Sequence, residues 1–441
     1  MIGSITLTLH MTFSQFPLST YLLNAIQSAG FTAATPIQAS VIPAMLSNKD
    51  VLACAQTGSG KTAAFCLPLL NAYLQKQTGA NKGPRIVQAL VLVPTRELAT
   101  QIGDQLRRFS LGFPHPPKLA VLYGGISINP QMLHLRGGVD IVIATPGRLL
   151  DLIDKNALKL DQVSTLVLDE ADRMLALGFA DELNKVLALL PTQRQSAFFS
   201  ATYSQFVAQM AESMLREPER FNIEDDDGTR PDIQQRAIQV EASQRTQLLK
   251  HLYQTQKWSR AMVFVATKYT ADLLATKLRR AHISADAFHG DQTQGKREQV
   301  ISDFKASRLK ILIATDVAAR GLDISQLPVV VNYDLPRSAD DYTHRIGRTG
   351  RAGESGLAIN FICADAANEA HFRLIEKRHD LRLEREHIAG FEPAVESIAN
   401  AEGAKVSDPN GGIKGKRPSK KDKLRALAAQ QAADGASNTN K

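Results

Sequence analysis

Short apolar runs alternate with longer amphipathic segments along most of this 441-residue chain, and this rhythm strongly constrains its fold. Each run is too short for a buried helix, and most are rich in Val, Ile or Phe, which predicts buried strands. Helical spacing follows each run, and strands that alternate with helices predict a parallel sheet covered on both faces. The runs begin at Val51, Ala89, Leu119, Asp140, Thr165 and Ser196, and again at Ala261, Ala285, Leu309, Pro328 and Leu357.

The rhythm is interrupted at residues 224–232, EDDDGTRPD, where five acids with Gly and Pro predict a linker. We therefore predict an α/β fold of two tandem parallel-sheet domains that separate near residue 225. The predicted segments are a leader at 1–11, an introductory region at 12–39, a first domain at 40–220, a linker at 221–232, a second domain at 233–396 and a tail at 397–441.

Composition narrows the class of protein. Hydrophobic residues make up 44% of the chain and charged residues 22%, which is typical of a soluble globular protein. No apolar run approaches the length that spans a bilayer. The first residues lack the pattern of a signal peptide, and either Met1 or Met11 serves as the start. Cys54, Cys66 and Cys363 form no CxxC pair, which predicts reduced thiols and a cytoplasmic location.

The net charge of +8 favours a polyanionic partner, and part of that charge is clustered in the tail. Residues 414–425 read KGKRPSKKDKLR, followed by small and polar residues that cannot bury enough surface to fold alone. Two interpretations stay open. The tail is a disordered solubilising segment, or it is an arm that binds phosphate without sequence preference.

A phosphate-binding loop is predicted at GSGKT, which follows one apolar run and opens a helical segment. In that geometry the loop amides and the helix N-terminus face an anion. Lys61 reaches the outer phosphates and the Thr62 hydroxyl ligates Mg²⁺. Gly58 and Gly60 leave room for the backbone to curl. Ala55 replaces the first Gly of the generic pattern, and a chance turn is the alternative interpretation.

The run TLVLDE ends in Asp169 and Glu170, which places both carboxylates at the carboxyl end of a parallel strand, where such sheets bind ligands. Asp169 would hold Mg²⁺ through its hydration shell, and Glu170 would orient and deprotonate an attacking water. The alternative is a solvated acidic loop. Together with the phosphate loop, these residues predict a nucleoside triphosphatase.

The second domain lacks a GKT loop but carries HRIGRTGR at residues 344–351. Phosphate is a matching partner for closely spaced guanidinium groups. We infer that the nucleotide lies between the domains, where these arginines stabilise the transferring phosphoryl group. Such arginines contribute about 10³–10⁵ in rate in known cases. Domain closure on the nucleotide and reopening after phosphate release would then form a switch. A surface basic turn is the alternative.

Residues 169–172 read DEAD, and over residues 13–370 the chain resembles the DEAD-box RNA helicases, with the family's motifs in order. GFTAATPIQ at 30–38 is similar to the Q motif, and AQTGSGKT at 55–62 is the family's own phosphate loop. The resemblance implies two RecA-like domains, ATP and Mg²⁺. It implies that Gln38 reads adenine, that Phe13 stacks on the base and that Asp323 contacts the ribose. The nucleotide contacts so implied are Phe13, Gln38, Ala55, Gln56, Thr57, Gly58, Ser59, Gly60, Lys61, Thr62, Asp323 and Arg345.

The same resemblance assigns the remaining roles. The catalytic residues are Lys61, Asp169 and Glu170 with the arginine fingers Arg348 and Arg351, and the metal ligands are Thr62 and Asp169. The residues that couple hydrolysis to RNA are Ser200, Ala201, Thr202 and His344. The RNA contacts are Pro94, Thr95, Arg96, Gly124, Gly125, Thr145, Pro146, Gly147, Arg148, Gln294, Arg297 and Thr315.

The resemblance predicts a bacterial, monomeric, RNA-dependent ATPase that separates short RNA duplexes or remodels RNA–protein complexes. Residues 382–393, RLEREHIAGFEP, are similar to the end of the RhlE-like subgroup. Donors aimed at sugar and phosphate predict little sequence preference. Preference for RNA over DNA comes from the resemblance alone, because it depends on 2′-hydroxyl contacts. Ribosomal precursors and mRNA-decay complexes are candidate settings. The alternatives are an ATP-dependent RNA clamp or assembly platform with incidental turnover, and a DNA-translocating helicase.

Overall fold

The computed structural model describes residues 11–55, 58–77, 85–203, 205–223, 232–319, 322, 324, 326–350 and 355–394, with the side chain of Asp340 left out. The predicted leader (except Met11), most of the linker and the tail lie outside these ranges. Four predicted site residues also lie outside them, namely Gln56, Thr57, Asp323 and Arg351. What we predict for these segments and residues stays a prediction.

The described residues form two seven-stranded sheets. The strands of the first are β1 (Val51–Cys54), β2 (Ala89–Leu92), β3 (Leu119–Leu122), β4 (Ile141–Ala144), β5 (Thr165–Leu168), β6 (Gln195–Ser200) and β7 (Glu219–Asn222). Those of the second are β8 (Ile233–Val240), β9 (Ala261–Val265), β10 (Ala285–Phe288), β11 (Ile311–Thr315), β12 (Val329–Asn332), β13 (Gly356–Cys363) and β14 (Arg385–Glu386).

Helices connect the strands in both domains. The first domain contains a 3-10 helix (Phe13–Gln15) and α1 (Thr20–Ser28), α2 (Pro36–Leu46), α3 (Lys61–Gln77), α4 (Arg96–Ser110), α5 (Asn129–Leu135), α6 (Pro146–Asp154), α7 (Ala171–Ala176), α8 (Ala180–Ala188) and α9 (Gln205–Met214). The second contains α10 (Arg245–Thr255), α11 (Lys268–Arg280), α12 (Gln294–Lys305), α13 (Asp316–Ala319), α14 (Ala339–Ile346) and α15 (Ala366–Arg378).

Strand order in the first sheet is β3-β4-β2-β5-β6-β1-β7, and its six neighbouring pairs are all parallel. The second sheet has the order β10-β11-β9-β12-β13-β8-β14, with parallel pairing in β10–β11, β11–β9 and β8–β14. Eleven of these strands coincide with the eleven predicted apolar runs. The predicted fold class, an α/β fold with two parallel sheets, is confirmed.

Each central strand is buried on both faces, which explains why the apolar runs are nearly continuous. In β2, Val91 packs into one core of the first domain, while Leu90 and Leu92 pack into the core on the opposite face. Phe13 and Ile37 belong to the same core as Val91. The region ahead of the phosphate loop is therefore packed into the first domain.

Three strands were not predicted, because none of them is a continuous apolar run. β7 reads ERFN and is mostly exposed at the sheet edge, and β8 is fully buried only in its second half. β14 is two residues long. Since β7 extends to Asn222, Phe221 and Asn222 belong to the first sheet rather than to the linker that composition predicted.

The three cysteines are all described, and none forms a disulfide. Burial raises the pKa of each thiol, most strongly that of Cys66, so all three are neutral near pH 7. None of the helices in the described ranges is long and apolar enough to cross a membrane.

Candidate functional site

Six motif segments of the first domain lie at the same edge of its sheet. Because the carboxyl ends of parallel strands share one edge, residues that follow different strands come together there. The segments are Ala55 with 58–62 after β1, 94–96 after β2, 124–125 after β3, 145–148 after β4, 169–172 after β5 and 200–202 at the end of β6.

Strand order divides this edge into two halves. The segments assigned to RNA follow β3, β4 and β2, which are consecutive neighbours. The segments assigned to nucleotide and coupling follow β5, β6 and β1, which are also consecutive. The two halves meet where β2 pairs with β5. The sheet thus places the two predicted binding functions side by side.

The predicted phosphate loop is held by a hydrogen bond from the region that precedes it in the chain. Gly60 has a left-handed φ of +100°, and its carbonyl accepts a hydrogen bond from Gln38 Nε2 at 3.1 Å. Gln38 Oε1 accepts the Thr35 N–H at 3.0 Å, and Gln38 is only 1% exposed. A Cβ atom at Gly60 would lie 2.5 Å from Gln38 Nε2 and 2.9 Å from Thr35 Oγ1. The amide predicted to read adenine is therefore also a support of the loop.

Lys61 closes the loop and lies near the acidic pair. Its Nζ donates to the Ala55 carbonyl at 2.5 Å, and the side chain is buried. Asp169 is 3% exposed and accepts the Glu170 N–H at 3.0 Å. Burial raises the pKa of Asp169 to about 6, although the Lys61 ammonium opposes the shift. A divalent cation beside this carboxylate would favour its ionised form.

Glu170 has an unusual conformation for a non-glycine residue. Its φ of +52° and ψ of +50° are left-handed, and it caps the N-terminus of α7. Among the described residues, Glu170 Oε2 is buried and has no hydrogen-bond partner. Strained backbone and an unsatisfied buried oxygen are both typical of functional positions. Both features fit a group whose partner arrives with the substrate.

A hydrogen bond joins the DEAD segment to the predicted coupling segment on the neighbouring strand. Thr202 Oγ1 donates to Asp172 Oδ2 at 3.1 Å, and Ser200 Oγ donates to the Thr202 carbonyl at 2.6 Å. Ala201 lies between them and is half-buried. We predicted no role for Asp172, although its place within DEAD was a signal that could have suggested one.

The RNA-assigned segments of the first domain also contact one another. Thr95 caps α4 by accepting the Leu98 N–H, and the Arg96 guanidinium packs against Gly125, whose φ is +80°. Arg148 is 8% exposed and donates to the Ile126 carbonyl at 2.8 Å. The rest of these residues lie at the same strand ends, namely Pro94, Gly124, Thr145, Pro146 and Gly147.

In the second domain, Gln294 opens α12, and the buried Arg297 lies over the Phe288 ring at 4.7 Å. Thr315 is the last residue of β11. Arg345 is 2% exposed and forms a two-pronged ion pair with Asp316, at 2.6 Å to Oδ1 and 2.8 Å to Oδ2. Its predicted phosphate contact stays a prediction, and the structure gives this guanidinium a protein partner that we did not anticipate.

Arg348 lies beyond the end of α14 and donates to the Leu322 carbonyl at 2.5 Å. His344, on α14, is half-buried. The helix is anchored by Tyr342, whose hydroxyl donates to Gln235 Oε1 at 2.7 Å and accepts from Asn360 Nδ2 at 3.1 Å. We did not predict this anchor, and its only signal was a tyrosine two residues before HRIGRTGR.

Comparison with known proteins identifies the family. A family model described as DEAD/DEAH box helicase matches residues 35–210, and one described as helicase conserved C-terminal domain matches 243–353. The DEAD-box ATP-dependent RNA helicase CshA of Bacillus subtilis (strain 168) is 40% identical over 386 residues, which cover 88% of this chain and 76% of that protein. The chain belongs to the DEAD-box helicase family.

Other members agree with this assignment. ATP-dependent RNA helicase CshA of Listeria monocytogenes is 40% identical over 372 residues, 84% of this DEAD-box chain and 69% of that one. S. cerevisiae Dbp5 bound to RNA and ADP BeF3 is 31% identical with a TM-score of 0.74, covering 85% of this chain and 95% of that chain. Mss116p bound to ssRNA and AMP-PNP is 28% identical with a TM-score of 0.73, covering 89% of this chain and 81% of that chain. The predicted tandem RecA-like fold is confirmed, and the RhlE-like subgroup stays a prediction.

Gly60→Ala should weaken ATP binding by this DEAD-box protein roughly tenfold, because the methyl group displaces Gln38 and the left-handed φ becomes strained. The dissociation constant for ATP and the melting temperature would be measured together. Gly112→Ala is the matched control, since nothing lies within 4 Å of a Cβ at that position. Equal ATP affinity in both variants would contradict the support that Gln38 gives to the loop.

Proposed function

We propose that this DEAD-box protein is an RNA-dependent ATPase that locally separates short RNA duplexes or remodels RNA–protein complexes. The observation that carries the proposal is the division of one sheet edge, which sets the RNA-assigned segments beside the nucleotide-assigned segments. The contact from Thr202 to Asp172 joins the ends of β6 and β5 within the nucleotide half. The pairing of β2 with β5 joins the two halves, and a change at one half can reach the other through these two strands.

The nucleotide half fits ATP and Mg²⁺. The Lys61 ammonium, which now donates to the Ala55 carbonyl, and the loop backbone held by the Gln38–Gly60 hydrogen bond fit an anion. Asp169 supplies a buried carboxylate. The Thr62 hydroxyl and Asp169 would hold Mg²⁺, which neutralises phosphate charge when bound. Glu170 takes the proton of the attacking water. Arg348 and Arg351 of the second domain stabilise the charge on the transferring phosphoryl group.

The RNA half fits a sugar–phosphate backbone rather than bases. Backbone amides at helix starts, Thr95, and the Arg96 and Arg148 guanidinium groups are donors for phosphate. Dbp5 and Mss116p were each solved with RNA and a nucleotide. By analogy, the substrate is a single strand or short duplex with little sequence preference. We propose that the enzyme acts as a monomer and that it is located in the cytoplasm.

Steady-state ATP hydrolysis with and without RNA tests this function. We expect single-stranded RNA to stimulate turnover and single-stranded DNA of equal sequence not to do so. Lys61→Ala is the inactive control, because it removes the positive charge that is predicted to reach the phosphates. Turnover that is indifferent to RNA would favour the clamp or platform, and stimulation by DNA would favour a DNA helicase. A duplex-separation assay with a short RNA duplex completes the test.

A further inference from the structure

Tyr269 is an exposed aromatic residue at the carboxyl edge of the second sheet. It lies in the first turn of α11, just after β9, and is 76% exposed. In the described part of the chain, no ring or guanidinium stacks on it. Leu273, one helical turn later on the same face, is 40% exposed. The exposed side chains of Tyr269 and Leu273 form a small apolar surface, which we call the step. Leu274 and Leu278 are buried on the other side of the helix.

This step is continuous with the residues assigned to RNA in the second domain. β9 pairs with β11, and the register sets Val265 beside Thr315. β10 is the next strand along, and Gln294 opens the helix that follows it. Lys268 Nζ contacts Asp291 Oδ1 at 2.5 Å, which ties the start of α11 to the β10–α12 loop. Tyr269 therefore lies beside that predicted surface.

The chemistry of the step suits a nucleobase. The RNA-assigned residues here, Gln294, Arg297 and Thr315, offer donors for phosphate and sugar but no aromatic ring. Stacking on an aromatic side chain tolerates every base, because every base has a π face. A protein partner fits less well, since stable protein interfaces bury roughly 800 Å² on each side, far more than two side chains supply.

We propose that Tyr269 stacks on an unpaired base of RNA bound along this edge, with Leu273 extending the platform. The inference rests on the proposed function, because it needs RNA at the carboxyl edge. Stacking gives affinity that depends on the presence of bases but not on their sequence. It is a contribution separate from the phosphate contacts.

Equilibrium binding separates the two contributions. We would compare an oligouridylate with an abasic ribose-phosphate chain of equal length, using Tyr269→Ala, Tyr269→Phe and the wild type. Tyr269→Ala should bind the oligouridylate about tenfold more weakly and the abasic chain unchanged, while Tyr269→Phe stays near wild type. The salt dependence should not change, because no phosphate contact is lost. Tyr21→Ala, a partly exposed tyrosine on α1, is the control.

Tyr269→Trp adds a direct readout. The chain has one tryptophan, Trp258, which is 6% exposed, so a tryptophan at 269 should dominate any change in fluorescence on adding oligouridylate. Quenching supports the stack. Unchanged affinity of Tyr269→Ala, or an equal loss on the abasic chain, would overturn it. ATP hydrolysis by the wild type is measured in parallel. If RNA does not stimulate it, the proposed function is wrong. If RNA stimulates it normally but Tyr269→Ala binds oligouridylate like the wild type, only the stacking proposal is wrong.

Discussion

Glu170→Gln should retain ATP and RNA binding but lose roughly 10²–10⁴-fold in the rate of hydrolysis. The amide has the size of the carboxylate but cannot accept a proton from water. Glu170 Oε2 is buried and, among the described residues, makes no hydrogen bond, so the oxygen is available for that role. Single-turnover hydrolysis at saturating RNA measures the chemical step, and equilibrium binding of ATP measures what is retained.

Two controls separate chemistry from folding. The left-handed backbone conformation at position 170 costs about the same for Gln as for Glu. The substitution should therefore leave the melting temperature nearly unchanged. Glu212→Gln makes the same chemical change at an exposed position on α9 and should hydrolyse ATP like the wild type. Normal turnover by the Glu170 variant would remove the general-base assignment. Loss of ATP affinity would instead assign Glu170 to binding.

Strand positions were predictable because buried parallel strands have a local signature. The six runs of the first domain are apolar on both faces, and two opposite cores of that domain account for the pattern. β7 and β14 have no such signature, since one is an exposed edge strand and the other is two residues long. Their pairing depends on a sheet that is already formed, which no local pattern reveals.

For the first domain, the sheet edge at which the motif segments lie was predictable, because the carboxyl ends of parallel strands share one edge. The contacts among them were not. Gln38 reaches Gly60, 22 residues away, and Thr202 reaches Asp172, 30 residues away, through the packing of separate elements. Such contacts depend on the orientation of side chains that sequence spacing does not specify.

The arginines of HRIGRTGR illustrate the same limit. Their close spacing in the sequence predicted a phosphate-binding role for all three. α14 ends at Ile346, so Arg345 lies inside the helix and faces Asp316, whereas Arg348 lies beyond the helix end. Residues three apart share a face only while the helix continues. The helix end therefore separates an arginine that is paired with Asp316 from the candidate finger.

Arg348→Ala should lower the rate of ATP hydrolysis at saturating RNA by about 10³-fold, while ATP affinity changes much less. An arginine finger acts on charge that develops as the phosphoryl group transfers, so its loss affects the rate more than ground-state binding. The helix that leads to Arg348 should keep its place, because Tyr342 and the Arg345–Asp316 pair anchor it. Single-turnover rates and ATP titrations would be measured on the same preparations.

Arg337→Ala is the matched control, since it removes an exposed arginine of the same domain outside the motif. Arg345→Ala provides the contrasting case: it leaves the Asp316 carboxylate without its two-pronged partner, so its main effect should be a lower melting temperature. If Arg348→Ala hydrolyses ATP as fast as Arg337→Ala, the second domain does not supply this finger. If the melting temperature of Arg348→Ala instead falls as far as that of Arg345→Ala, the main role of Arg348 is its hydrogen bond to the Leu322 carbonyl. The catalytic positive charge must then come from another residue.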